Sequence, residues 1–293
     1  MKFGVFLYQP EPVEGVDYNF YRQKSESGIV GKPNLKMYTN IAVFGDNNMA
    51  AKRPDWVSVS SYGPALRTNK RFNLRWDVVC MTNPEAREYN LKIIAETAKV
   101  TPGISISSQH FADQHFCTCP RCIEQQRKSG LKWIDWRATT ITEFLREAKN
   151  HAKGTFAVEM FPDPLMAKER FGIDFDAISE LVDYFHVPLS ARDYTTNYWV
   201  DLLARDFIKI LNKPVVVELS GEMQTVEKTD ALLKTVALLG RHGLMGTLLL
   251  VHDSDNAEQI ARYAVHNSEF RDWLSKNDFS EMKRIVDDWA KLY

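Results

Sequence analysis

The chain alternates short apolar runs with stretches of helical spacing. From residue 76 the order is "WDVVCM" then "NPEAREYNLKIIAETAKV", and "GISISS" then the amphipathic "WRATTITEFLREAKNHA". "TFAVEMF" precedes "FDAISELVDYF", and "FHVPLS" precedes "NYWVDLLARDFIKIL". "KPVVVEL" precedes "TDALLKTVALLGRHG", and "MGTLLLVH" precedes a helical tail from about Asn256. β-rich runs separated by helices predict βα units on a parallel sheet. Asn83 can cap the helix that follows it, and Pro84 fits that helix's first turn.

Adding "KFGVFLY" and "WVSVSS" at the front gives eight strands. That count predicts an α/β chain folded as a (β/α)8 TIM barrel, which takes about 250 residues plus insertions. A doubly wound sheet would want a glycine-rich phosphate loop after its first strand. "YQPEPVEG" is not one. Residues 9–55 are irregular and rich in Tyr, Asn, Gly and Pro, and they read as a long first β→α excursion. No linker or repeat interrupts the pattern, so residues 1–293 are expected to form a single domain.

Composition narrows the partners. The chain is 44% hydrophobic and 26% charged, with a net charge of −1. No overall field draws such a chain to nucleic acid or to an anionic membrane. No run of 18 apolar residues predicts a membrane span. "MKFGVFLYQPEP" reads as a buried strand rather than a signal peptide, so a cytoplasmic location is expected. A homo-oligomer is left open.

In barrels of this kind, chemistry gathers where strands end and β→α loops begin. Those positions hold Tyr62, His110, Asp113, Glu159, His186, Asp193, Tyr194, Glu218 and His252. Carboxylates for acid–base work beside aromatic faces suit a sugar or polyol pocket. Tyr62, Tyr194, Tyr198 and Trp199 are the candidate walls. Glu218 follows "KPVVV" and Glu159 follows "TFAV", which pulls both into the barrel mouth, where a buried carboxylate needs a partner or a purpose. His186 also reads as a satisfied core histidine, and Asp113 as a loop carboxylate holding an arginine. Glu222, Asp253 and Asp255 read as helix-capping or solvated groups.

"HFADQHFCTCPRC" places three of the four cysteines within six residues. In a reducing compartment that spacing favours a metal over disulfides. C-x-C-x-x-C needs a fourth ligand for a tetrahedral Zn2+, and Cys80 or His115 can supply it. A site closed by protein ligands is structural, with no open position for water.

Cys80 followed by "FCTCPRC" resembles the zinc cluster of family 42 β-galactosidases. "VCMTNPEAREYNL" with "HFCTCPRC" also resembles a looser set of barrel glycosidases. The likeness covers roughly residues 76–126. It implies a (β/α)8 glycoside hydrolase with Cys80, Cys117, Cys119 and Cys122 on structural Zn2+ and Glu218 as nucleophile. The family-42 pattern has an Asn-Glu pair at the end of the fourth strand, and the looser set an acid near Ser107. Here that region reads "SSQHFADQ", with no Glu. Glu159 or Asp113 must then supply the acid, and Glu159 is the better placed. Tyr62, His110, His186, Asp193, Tyr194, Trp199 and His252 would contact a carbohydrate substrate. Two other classes compete. A metal-dependent sugar isomerase or epimerase would hold one divalent ion on Glu159, His186, Glu218 and His252. A carbohydrate-binding barrel without chemistry would explain the missing fourth-strand Glu.

Overall fold

The computed structural model describes residues 1–189, 197–221 and 225–293. Eight parallel strands close into a barrel. Around it run β1 (Lys2–Leu7), β2 (Tyr18–Lys24), β3 (Tyr38–Ala42), β6 (Gly103–Ser107), β7 (Thr155–Glu159), β8 (Tyr184–Pro188), β9 (Val215–Ser220) and β10 (Gly246–Val251). β10 pairs with β1, Lys2 opposite Gly246, and that register shuts the ring. The remaining strands, β4 (Val59–Ser60) and β5 (Gly63–Pro64), form a separate small hairpin.

The barrel expectation holds, but two of its strands lie elsewhere. The second and third barrel strands are "YNFYRQK" and "YTNIA", both within the segment expected to be an excursion. "WVSVSS" and "WDVVCM" are not barrel strands. They belong to residues 43–83, the true long excursion, which leaves β3 rather than β1. It carries α1 (Asn47–Lys52) and the β4–β5 hairpin. Its apolar residues Val57, Val78 and Val79 are buried and join the larger core, with isolated bridges Val57–Val79 and Gly45–Val78. No helix stands between β1 and β2 or between β2 and β3.

The remaining crossovers run through helices. α2 (Pro84–Thr97) starts as expected: Asn83 Oδ1 accepts the amide of Ala86 at 3.1 Å, and Pro84 occupies the first position. α3 (Pro120–Ser129) and α4 (Trp133–His151) lead to β7, α5 (Phe175–Ser179) to β8, α6 (Asn197–Ile210) to β9, and α7 (Val226–Leu239) to β10. α8 (Ser254–His266), α9 (Ser268–Lys276) and α10 (Ser280–Trp289) end the chain. α10 buries Met282, Ile285, Val286 and Trp289, the i, i+3, i+4, i+7 stripe of an amphipathic helix. Trp289 packs edge-on against Phe3 of β1, ring centroids 4.9 Å apart. No helix among the described residues is long and apolar enough to cross a membrane.

Two cores result from the strand alternation. The larger fills the space between strands and helices. The smaller is the barrel's own plug: Phe6, Phe20, Ala157, Tyr184, Val216 and Leu248, one from each of six strands. Side chains on a strand repeat their facing every second residue. The next inward layer is therefore Tyr8, Arg22, Glu159, His186, Glu218 and Leu250. The apolar plug seals the barrel, and polar groups stand directly above it at the strands' carboxyl ends.

Candidate active site and cysteine cluster

Three of the residues expected from the sequence converge in that second layer. His186 Nε2 lies 3.1 Å from Glu218 Oε2, and His186 Nδ1 lies 3.7 Å from Glu159 Oε2. One ligating atom from each of the three falls within 4.8 Å of the others. Glu218 and His186 are fully buried, and Glu159 is nearly so. Phe6 and Phe20 flank the imidazole, with ring centroids 5.6 and 6.2 Å away. Neither imidazole nitrogen makes an aligned hydrogen bond among the described residues.

The cation of the site comes from β2. Arg22 Nη2 stands 3.7 Å from Glu159 Oε2 and 3.9 Å from Glu218 Oε2, while Nη1 donates to Glu26 Oε2 at 3.2 Å. Its guanidinium lies over Phe6, 4.7 Å from the ring centre. Burial works against the charge, but Glu26, Glu159 and Glu218 together raise the Arg22 pKa above its ordinary value. Glu26 is fixed in turn: Ser108 Oγ donates to Oε1 at 2.8 Å. Ser108, the residue just past β6, has φ 54°, a left-handed conformation costly for a residue with a side chain.

Glu159 is held by Asn40 and Gln109 as well. Asn40 Nδ2 of β3 donates to its Oε2 at 3.3 Å, and Ser107 Oγ orients Asn40 through Oδ1 at 3.0 Å. Gln109 Nε2 donates to the Glu159 backbone carbonyl at 2.8 Å. Burial pushes the Glu159 pKa up to about 7, against the pull of Arg22 and His186. A carboxyl neutral near pH 7 can donate a proton, the requirement for a general acid.

Arg22, Glu26 and Asn40 were not among the sequence candidates, because residues 9–55 were read as an irregular excursion. The signal was present in "YNFYRQK": Phe20 and Arg22 are spaced by two, as plug and site residue are on β7, β8 and β9.

Other candidates lie outside this cluster. Asp113 stands 3.8 Å from Arg170 and accepts the Gln114 amide, the loop-carboxylate role. His110 is buried among Trp76, Phe161 and Phe171, its Nδ1 2.8 Å from the Phe111 carbonyl, and burial pushes its pKa down. It is a core histidine here. His252 is exposed and lies 3.2 Å from Asp253, which caps α8 as expected. Trp199 and Tyr198 are exposed on the first turn of α6, rings 5.3 Å apart. Tyr62, half-exposed beside the β4–β5 hairpin, meets His115 edge-on at 5.1 Å. Asp193, Tyr194 and Glu222 lie outside the described residues.

The four cysteines come together. Cys80 Sγ is 3.5 Å from Cys122 Sγ and 3.9 Å from Cys119 Sγ, and all four sulfurs lie within 4.8 Å of one another. A disulfide would need about 2.05 Å, and all four are free thiols. Ligands 2.3 Å from a tetrahedral ion lie about 3.8 Å apart along each edge, so the cluster can hold a metal ion. Cys80 does not end a strand. It closes the β3 excursion just before α2, so the cluster joins that excursion to the loop after β6. Donors surround the sulfurs: Thr82 Oγ1 lies 3.1 Å from Cys122 Sγ, and the Val59 amide donates to Cys117 Sγ at 3.4 Å. His115 takes no part.

No family model matches the sequence, and no curated protein matches it significantly. Among solved structures, the chain is similar to the β-N-acetylhexosaminidase of Bacteroides fragilis, at 11% identity and TM-score 0.48, covering 92% of this chain and 64% of that one. It is similar to the endo-1,4-β-mannanase of Rhizomucor miehei, at 13% identity and TM-score 0.46, over 94% and 95% of the two chains. The α-galactosidase of Thermus thermophilus matches at 12% identity and TM-score 0.45, over 89% and 64%. The chain thus spans less than two thirds of the hexosaminidase and α-galactosidase chains it matches. These neighbours are glycoside hydrolases, and nothing of their activity passes to this chain at this level of likeness.

Proposed function

We propose that the protein is a retaining glycoside hydrolase acting on a sugar or oligosaccharide. The observation that carries this reading is the Glu159–Glu218 pair: two carboxylates from β7 and β9, nearest oxygens within 4.8 Å, over an apolar plug. A retaining pair stands about 5–5.5 Å apart, whereas inversion needs about 6.5–9.5 Å to admit a water. Glu218, beside Arg22 and His186, is the nucleophile: its carboxylate displaces the leaving oxygen at the anomeric carbon and forms a glycosyl ester. Glu159 protonates that oxygen as the bond breaks, then takes a proton from the water that cleaves the ester. Arg22 pairs with both carboxylates, and His186 stands between them. The rim aromatics Tyr62 and Trp199 offer faces for further sugar rings.

An isomerase reading would place one divalent ion among Glu159, His186, Glu218 and His252. Arg22 already sets a permanent cation against both carboxylates, and His252 is exposed beside Asp253, outside the Glu159–His186–Glu218 cluster. The carboxylate-pair reading accounts for Arg22 and the ion does not. For the four cysteines, we assign structural Zn2+, which suits an all-sulfur tetrahedron.

Incubation with an activated 2-deoxy-2-fluoro glycoside tests the reading. The expected result is one glycosyl mass on the peptide containing Glu218. A label on another residue, or a product of inverted configuration, would overturn it.

A further inference from the structure

The segment Arg67-Thr-Asn-Lys-Arg-Phe-Asn-Leu-Arg75 carries four basic residues in nine positions, in a chain whose net charge is −1. It lies within the β3 excursion, on the same end of the barrel as the carboxylate pair. All four basic residues are exposed. Arg67 is paired with Asp77 at 3.3 Å. Lys70 and Arg71 make no ion pair with a carboxylate among the described residues. Arg71 instead lies over the half-exposed Tyr62 ring, 5.4 Å from its centre, and Tyr62 meets exposed His115 edge-on.

This cationic–aromatic group is held in place. Asn69 Nδ2 donates to the carbonyls of Tyr62 and Pro64 at 3.3 and 3.0 Å, fastening the loop to the β4–β5 hairpin. Phe72 packs on Phe116, 4.8 Å between ring centres, next to Cys117. The Thr118 amide donates to the Val59 carbonyl at 2.8 Å, so the hairpin is clasped to the cysteine segment. At the loop's far end, Trp76 and Ser108 both close on Gly45, and Ser108 bonds Glu26 of the carboxylate network. The patch is therefore fastened to the cysteine segment through Phe116 and Thr118, and its loop is linked to the carboxylate network through Trp76, Gly45, Ser108 and Glu26.

We propose that Lys70 and Arg71, with Tyr62 and His115, form a rim subsite for an anionic carbohydrate, one bearing carboxylate or sulfate groups. The inference rests on the glycoside hydrolase reading for its place in the molecule, and it adds the substrate class. An exposed aromatic face accepts a sugar ring, and the adjacent cations pair with its anionic substituents. A polynucleotide is the weaker fit, since the net charge supplies no wider field for it.

Calorimetric titration of the full chain tests the subsite. The probes are an oligogalacturonate, a sulfated oligosaccharide, a neutral oligosaccharide of equal length and single-stranded DNA, each at low and high salt. The acidic glycans should bind more tightly than the neutral one and weaken as salt rises, and the stronger of the two identifies the anion. The double variant K70Q/R71Q should lose about tenfold in affinity for the preferred acidic glycan, with an unchanged melting temperature. Equal binding of acidic and neutral glycans, tighter binding of DNA, or no loss in the double variant would each overturn the subsite. Acidic-glycan binding without hydrolysis of any glycan keeps the subsite and removes the catalytic reading. Hydrolysis with no preference for acidic glycans does the reverse.

Discussion

Arg22 of β2 faces Glu159 of β7 across the barrel mouth, with Nη2 3.7 Å from Oε2. The guanidinium favours the carboxylate's charged form, and burial favours the neutral one. Burial wins, leaving Glu159 with a pKa of about 7. The acid form is present below that pH and is lost as pH rises through it. The kcat/KM profile should therefore have its alkaline limb near pH 7. Arg22→Gln removes the opposing charge, so the limb should move to higher pH by about one unit. A limb that stays in place would detach Arg22 from Glu159.

Glu159 has a stability signature as well. Its folded pKa is raised above that of the unfolded chain, so folding takes up a proton between about pH 4.5 and 7, and stability falls as pH rises through that window. Glu159→Gln removes the penalty. Its melting temperature relative to wild type should be higher at pH 8 than at pH 5. In catalysis, Glu159→Ala should cripple substrates with poor leaving groups, spare activated aryl glycosides and respond to azide. The same signature in Asp113→Ala, and not in Glu159→Ala, would move the acid to Asp113.

Glu218→Gln should lower kcat by several orders of magnitude with little change in stability. The Gln keeps the shape beside His186 and Arg22 while giving up the nucleophilic oxygen. Near-normal turnover would remove Glu218 from the mechanism.

Hydropathy made six of the eight barrel strands legible, because their runs are buried on both faces. It missed β2 and β3 for a physical reason. Inside the barrel mouth the inward positions are polar, so "YNFYRQK" and "YTNIA" carry Arg22 and Asn40 where an apolar residue was expected. Conversely, Val57, Val78 and Val79 are buried by a folded-back loop, and a hydropathy pattern registers burial, not membership of a sheet. The same effect decided the site. Glu159, His186 and Glu218 followed apolar runs and were found. Arg22 followed an irregular one and was missed. The cysteines were legible because their spacing alone limits what they can do.

About one Zn per chain should appear on elemental analysis of the purified protein, as a closed four-ligand site requires. Cys119→Ser should lower both zinc content and melting temperature. The cluster joins two long loops, so its loss should also loosen the hairpin that carries Tyr62. Full metal loss with unchanged melting would remove the structural role.

Lys24 is the buried counterpart of Arg22 on the same strand. The β2–β3 register shifts between Arg22 and Lys24, and a bulge of that kind re-aims a side chain. Arg22 points into the mouth, while Lys24 turns outward into the excursion. There, with no exposed surface, its Nζ pairs with Asp46 Oδ2 at 2.9 Å and donates to the Ala42 carbonyl at 2.6 Å. Asn90 Oδ1 of α2 lies 3.4 Å away. Asp46 caps α1 through the Met49 amide at 2.7 Å, so one buried ammonium ties β2, β3, α1 and α2 together. Removing one partner of such a pair leaves the other charge uncompensated, at about 3–5 kcal/mol. Lys24→Met should show that loss in urea unfolding. In the double variant K24M/D46N the stranded charge is gone and a capping oxygen is kept, so it should recover part of the loss. If Lys24→Met unfolds at the wild-type midpoint, the excursion is held by its apolar core alone. If the double variant is no better than the single one, the lost contacts to the Ala42 carbonyl and Asn90, rather than a stranded Asp46, carry the cost.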